Sequence, residues 1–332
     1  EGGTVALVCA DVVGLFDEFT RRVADRLPGM NVVVSATHTH HAPDTLGLWG
    51  SGISTGVNPQ YLKRVEDACV EAVKVAQRKL RPVHKGVSSD YVGSLVATLG
   101  KKYECPVVYL TGAVGGLMSP ISQPVKGADG KDLPKNSVEA TRRYGEVIAE
   151  RAMKAVDGSK TVALTPMRLK QREIYLPVDN MLYVAGNQLG TLPRKMFHWS
   201  GSVDRPAENG EGQRKALRSR AGVLTLGELQ IALVPGEIYP ELVLAKVPDP
   251  APAGADFPEA PVEPSLLSQL TAKHRWVLGL AQDEVGYIMP RRQWDAKEPF
   301  TYDYKKPPYG EINSLGPDTA PLLLPLYRDL AR

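Results

Sequence analysis

The sequence predicts a mixed α/β fold in which β-sheets are flanked by α-helices. Short β-branched apolar runs alternate with longer segments of helical period in the first half of the chain, and from Thr161 onward extended segments dominate. The 332 residues are 43% hydrophobic and 23% charged, a globular balance that excludes wholesale disorder. A chain of this length buries a sizeable core without disulfide staples.

The elements follow in order. TVALVCAD (4–11) is a continuous apolar run ending in an acid, the pattern of a buried strand. Residues 15–27 carry helical period and stop at Pro28-Gly29, and NVVVSA (31–36) is a second buried strand. Asn58-Pro59 supplies an N-cap and a first-turn proline to a long helix reaching Leu80, with Leu62, Val65, Cys69, Ala72, Val73 and Ala76 on one stripe. Ser88-Ser89-Asp90 opens a helix to Leu99, with Asp90 read as a cap. PVVYL (106–110) is a short strand, and Asn136-Ser137 starts a helix to Val156. Extended segments then run over 161–178, 221–234 and 274–281, and a last helix starts at Pro317 or Asp318. Two irregular stretches, 200–213 and the Pro/Ala/Asp-rich 248–264, read as surface loops; the second also has the composition of a linker. There is no internal repeat.

Forty Lys and Arg against 37 Asp and Glu give a net charge of +3, too balanced for a dedicated nucleic-acid binder. No apolar run approaches the roughly 18 residues that span a bilayer. Cys9, Cys69 and Cys105 match neither a zinc knuckle nor a CxxC pair and read as small buried hydrophobes. The chain opens on Glu1-Gly2-Gly3 without a Met or a signal peptide, so it carries no compartment cue.

Three of the six histidines fall in Thr37-His38-Thr39-His40-His41, directly after NVVVSA. If strand alternation persists, His38 and His40 face one side and His41 the other. Two imidazoles at a strand's C-terminal end fit a metal or acid–base pair, where α/β sheets commonly place their sites; a surface histidine run is the alternative. IALVPGE ends a buried run at Glu237, which is either a metal carboxylate or a helix N-terminal acid. Tyr287 closes WVLGLAQDEVGY and packs or serves the site. The glycines of TGAVGGLMSP (111–120) allow a close backbone approach to a ligand, with Ser119 on the loop.

Six segments in this order resemble the neutral ceramidases, the neutral/alkaline non-lysosomal ceramidase family. They are SATHTH (35–40), SSDYVG (88–93), GAVGGLMSP (112–120), GELQIALVPGE (227–237), GLAQDEVGYI (279–288) and YGEINSLGP (309–317). The likeness is to shorter bacterial relatives, and it implies a single ceramidase-like catalytic domain over 1–332 without the C-terminal β-sandwich domain. It also implies one zinc ion and hydrolysis of the amide bond of N-acylsphingosine or a related N-acyl substrate. His38, Glu237 and Tyr287 are implied as zinc ligands. His40 is implied as a catalytic or outer-sphere histidine, Tyr309 as polarising the substrate, and Ser119 as a nucleophile or substrate contact. Family membership suggests a secreted or periplasmic protein that meets lipid-like substrate, with peripheral membrane contact and no transmembrane segment.

The chemistry of the residues agrees with that set. Zinc takes imidazole nitrogen and carboxylate oxygen, lowers the pKa of a bound water to about 7 and polarises a carbonyl. Zinc-bound water is favoured over Ser119 as nucleophile, because no base dedicated to a serine is visible. This sequence also departs from the family. The second zinc histidine precedes the SSDYVG-like helix there, whereas here His84 falls too close to the motif to align with it. The strands and loop expected between Val83 and Val87 are missing, with an arginine the family places near the substrate, as is the family's first glycine-rich strand ahead of residue 1. Either a segment between Val83 and Val87 is not represented in the sequence or the site is built differently; the lack of a recognisable second histidine ligand favours the alternative of a non-catalytic relative that binds a metal or small ligand, and a serine hydrolase using Ser119 is a third reading. Asp11 is placed either to hold a ligand histidine or to cap a turn. Asp44 reads as turn chemistry, His198 and His274 as structural, and Trp49 as a packing residue beside an apolar pocket.

Overall fold

The computed structural model describes residues 4–51, 54–78, 90–116, 124–135, 137–208, 212 and 214–332. Strands β1 (Thr4–Ala10) and β2 (Met30–Ala36) pair in parallel from Thr4↔Met30 to Ala10↔Ala36. Helix α1 (Asp17–Asp25) connects them, with Asp17 and Glu18 in its positive first turn. Helix α2 (Pro59–Arg78) begins where the Asn58 side chain accepts from the Gln60 and Tyr61 amides at 2.9 and 3.0 Å. Its Cys69, Val70 and Val73 pack with Phe19 and Val23 of α1 and with Val8, Val32 and Val34 of the strands to form one core.

Helix α3 (Asp90–Tyr103) lies against α4 (Val138–Asp157). A Cβ at Gly145 would meet Ser94 Cβ at 2.8 Å, so the two backbones approach as only glycine permits. Ser137 caps α4 by accepting from the Ala140 amide at 3.0 Å.

The second sheet runs β3 (Met167–Val178), β5 (Lys215–Leu226), β6 (Leu229–Leu233) and β8 (His274–Leu278), with β4 (Met196–His198) also on β5. β3, β5 and β6 are antiparallel neighbours, and β8 joins β6 in parallel. Every residue of β6 is buried, as its unbroken apolar run requires. Helices α5 (Met181–Gln188), α6 (Pro240–Leu244), α7 (Leu266–Gln269), α8 (Tyr309–Ile312), α9 (Thr319–Leu323) and α10 (Leu326–Leu330) accompany this sheet. The buried Tyr327 of α10 donates to the Leu233 carbonyl at 2.8 Å.

One segment ties the two sheets together. After β8 the chain passes between the ends of β2 and β6: Ala36 donates to Leu280 O, Gln282 to Val34 O, Leu280 to Gly236 O and Ala281 to Val234 O. The C-terminal ends of the two predicted core strands that carry site candidates are thereby brought side by side.

Several expectations are corrected. Residues 106–110 form no strand, and Val108 is 65% exposed; a run of five with a leading proline has too little apolar periodicity to hold a ladder of its own. Helix α1 starts at Asp17 rather than 15, because Val12, Val13 and Leu15 are buried in the turn ahead of it. α3 runs on to Tyr103. The extended segment from Thr161 becomes strand only at Met167, where pairing with Leu226 begins. The last helix is two short helices, since Pro325 lacks the amide to continue the first. The 248–264 stretch is packed rather than free: Ala255 is buried, and Glu263 accepts from the Arg291 amide at 2.8 Å. Cys69 is buried and Cys9 half-buried, but Cys105 is exposed; burial pushes the thiols of Cys9 and Cys69 up to about 12. His84, Ser88, Ser89 and Asn136 lie outside the described residues.

Candidate active site

β2 stops at Ala36, and Thr37 and His38 donate to the carbonyls of Ala10 and Val12 at 3.0 and 3.1 Å. His38 then adopts φ +65°, a left-handed conformation that costs a residue with a Cβ about 1–2 kcal/mol. His38 and His40 do share a side, their rings edge-to-face at 4.9 Å. They do so through this turn and not through strand alternation. His41 points elsewhere, with Nδ1 3.2 Å from Asp90 Oδ2. Asp90 also accepts from the Tyr91 amide, but it is the first residue of α3, and a bond to the next amide is not the N-cap contact expected of it.

Beyond β6 the chain turns at Pro235-Gly236, where a Cβ on Gly236 would meet Gly286 O at 2.5 Å. Glu237 and Ile238 form β7, paired in parallel with Tyr287 and Ile288 of β9, register Glu237↔Tyr287. Glu237 is therefore a strand residue and not a helix N-terminal acid. That register sets Glu237 beside Tyr287, and the phenol hydrogen-bonds the carboxylate. Across the gap, His38 Nε2 lies 3.1 Å from Glu237 Oε2. Tyr309, at the start of α8, stacks edge-on against Tyr287 at 5.9 Å. His40 lies between His38 and Trp49, whose ring is 5.6 Å away.

His38, His40, Glu237, Tyr287 and Tyr309 thus converge on one pocket, whose apolar lining includes Val13, Phe16, Leu46, Leu48, Trp49 and Leu192. Leu48, Trp49 and Tyr309 are exposed at its mouth. Asp44 makes the turn that presents Trp49: its carboxylate accepts from the amides of Leu46 and Gly47, at 2.8 Å each, and of Trp49 at 2.9 Å. Ser119 lies outside the described residues. The loop leading toward it does reach the site, since Gly115 donates to Ile238 O at 2.9 Å. His274 begins β8, and His198 pairs with Gly212 O and Lys215.

The electrostatics follow from this crowding. Burial lowers the His38 pKa, but the hydrogen bond and charge of Glu237 and the Val13 carbonyl more than offset it and raise it overall. Burial and the charge of His38 push His40 down. Burial and then Glu237 raise the phenols of Tyr287 and Tyr309.

The donor set can be tested against a metal. His38 Nδ1 lies 2.7 Å from the Val13 carbonyl and must donate to it, which leaves Nε2 an acceptor. Val13, not Asp11, is the partner that orients this ring. An acceptor nitrogen facing a carboxylate oxygen at 3.1 Å is repulsive unless a cation, a proton or a metal ion, lies between them. Imidazole nitrogen and carboxylate oxygen, with the far imidazole nitrogen held by a carbonyl, are donor types that zinc takes. Among the described residues, no three His, Cys, Asp or Glu side chains form a metal-binding group; His38 and Glu237 are two such groups, and the Tyr287 phenol stands beside them.

Three further ionisable residues line the pocket that sequence reasoning did not single out: Tyr183, Arg194 and Glu284. Glu284 was legible as an acid inside a buried run, whereas Arg194, in a polar stretch, gave no signal.

A pocket of aromatic, imidazole and carboxylate groups at the joined strand ends of a mixed α/β fold is the layout of a small-molecule site. The fold itself is ceramidase-like. The chain superposes on the crystal structure of neutral ceramidase from Pseudomonas aeruginosa with a TM-score of 0.63 and 14% identity, covering 98% of this chain and 65% of that one. A ceramidase complexed with C2 matches with a TM-score of 0.62 and 14% identity, covering 98% and 66%. The chain therefore spans about two thirds of the length of these structures. No family model matches the sequence, and no curated protein does.

Proposed function

We propose that the chain is a zinc-dependent amide hydrolase that cleaves N-acylsphingosine or a related lipid-like N-acyl compound into an amine and a fatty acid. The observation that carries this reading is the convergence of His38, Glu237 and Tyr287 beside His40 and Tyr309 over an apolar pocket. His38, Glu237 and Tyr287 would hold the ion, which when bound would supply Lewis acidity toward water and the amide carbonyl. His40 takes a proton from the attacking water and returns it to the leaving amine nitrogen. The Tyr309 hydroxyl donates a hydrogen bond to the carbonyl oxygen as it gains charge. Leu48, Trp49 and the apolar lining hold the substrate chain and exclude water. Ser119 is assigned a substrate contact.

Exposed Leu48, Trp49, Met181, Leu182, Leu189 and Tyr309 support peripheral contact with a lipid surface. Asn180 joins the start of α5 to α8 by donating to Ile312 O at 2.7 Å, and Gly47 abuts the Thr191 carbonyl, so these apolar groups neighbour the mouth. No described helix is long and apolar enough to cross a membrane.

The test is metal analysis together with turnover of N-acylsphingosine. We expect about one zinc per chain, activity lost to a chelator and restored by zinc, and both metal and turnover lost in His38→Ala, with turnover falling more than about 100-fold. Zinc-free protein without turnover would favour a non-catalytic ligand-binding relative, to which the lack of a third His, Cys, Asp or Glu donor among the described residues lends weight. Turnover that survives chelation and falls in Ser119→Ala would favour a serine hydrolase.

A further inference from the structure

Besides the His38–Glu237–Tyr287 group, the pocket carries a second polar cluster, its floor, set into its apolar lining. Glu284 and Arg194 are each only 6% exposed and both line the pocket. Glu284 Oε1 accepts from the Gly286 amide at 2.8 Å, while its Oε2 is buried with no partner. Arg194 commits Nη1 to the Glu284 carbonyl (2.9 Å) and Nη2 to Asp283 (2.7 Å) and the Arg218 carbonyl (3.1 Å), leaving Nε without a partner. Phe16 lies under the guanidinium at 4.6 Å. Asp283 is itself fixed by the Asp17 and Glu284 amides at 3.0 and 2.8 Å, so this floor is built and not a pair of wandering side chains. A pocket made only for an alkyl chain would not keep an acceptor and a donor unsatisfied at its base, because buried polar groups without partners cost stability.

We propose that this floor binds a polar group of the substrate, a hydroxyl or amine whose hydrogen is donated to Glu284 Oε2. The inference rests on the hydrolase reading and narrows its substrate class. The preferred N-acyl compound carries a hydrogen-bond donor on the portion that enters the pocket, in place of a plain hydrocarbon chain. Sites that hydrogen-bond a substrate hydroxyl reject the analogue lacking it far more strongly than an apolar slot rejects a missing methylene.

Two matched sets of amides test this. One holds N-hexanoyl anilide and its monohydroxylated counterparts, with the hydroxyl moved carbon by carbon. The other holds N-acetyl hexylamine and its hydroxylated counterparts. With the zinc-loaded protein, one hydroxylated amide should exceed its plain parent in kcat/KM by roughly tenfold or more. Glu284→Leu should erase that preference, and so should Glu284→Gln, whose one oxygen is engaged by the Gly286 amide and whose NH2 takes the place of Oε2. Calorimetric binding of the same compounds should rank them in the same order. If that ranking appears without any turnover, the hydrolase reading fails and the floor assignment stands. The assignment is overturned if wild-type protein binds no hydroxylated compound more tightly than its parent, or if folded Glu284→Leu, checked by its melting curve, keeps the wild-type ranking.

Discussion

His38 owes its position to two carbonyls and one unusual backbone angle. Val12 O holds its amide, Val13 O holds its Nδ1, and φ +65° turns the chain out of β2. The sequence motif announced that His38 and His40 belong together, but not how, since histidine's mild enrichment in left-handed turns is too weak to place one at His38. Glu311 illustrates the opposite limit, a residue whose sequence context hid its character. Burial and then the charge of Asp295 raise its carboxyl from the ordinary 4.5 to about 7, despite hydrogen bonds from its own amide and from that of Asp295 at 3.1 Å. An acid with a raised folded pKa stabilises the fold fully below its unfolded value, and this contribution is lost as pH rises through the folded one. Stability should therefore decline between about pH 4.5 and 7, by an order of 2–3 kcal/mol at most. Glu311→Gln should flatten that decline and melt higher than the parent at pH 8. An unchanged pH profile of denaturant midpoints would refute the assignment.

Among the elements, those with two independent signals were legible and those with one were not. β1, β2, α2 and α4 combined an apolar period with a cap or breaker and stand where the sequence put them. Residues 106–110 had only composition and form no strand, and α5, with weak amphipathicity, went unread because its Asn180 cap sits in a stretch otherwise resembling a strand end. Caps and close approaches are also where single substitutions should tell. Ser137→Ala removes the α4 cap and should cost about 1 kcal/mol. Gly145→Ala places a methyl 2.8 Å from Ser94 Cβ and 3.0 Å from the Leu95 amide nitrogen, and should cost about 1–3 kcal/mol through separation of α3 from α4. Urea titrations of both variants measure these values; a neutral Gly145→Ala would mean that the helices part without penalty.

At the scale of the molecule, the site exists because residues 278–282 lace β2 to β6. The ends of both strands were readable as places for chemistry from their apolar runs, yet their adjacency was not, because no local pattern encodes contact between residues some 200 positions apart. α10 reinforces the same region from outside. Tyr327→Phe removes its hydrogen bond to Leu233 O, four residues before Glu237, and should lower stability by about 1 kcal/mol. The accompanying loosening at β6 should show as faster amide exchange at Val234 and Glu237; exchange matching wild type there would place α10 outside the support of the site.

The β7–β9 ladder is only two residues long, and it alone sets Glu237 opposite Tyr287. Losing a single codon between Leu233 and Glu237 would bring Ile238 into the acid's place, and gaining one would bring Gly236. Across descendants of this gene, length changes can accumulate in the exposed turns over 200–205, while the spacings 233–237 and 278–287 should stay fixed wherever the acid and phenol are both retained.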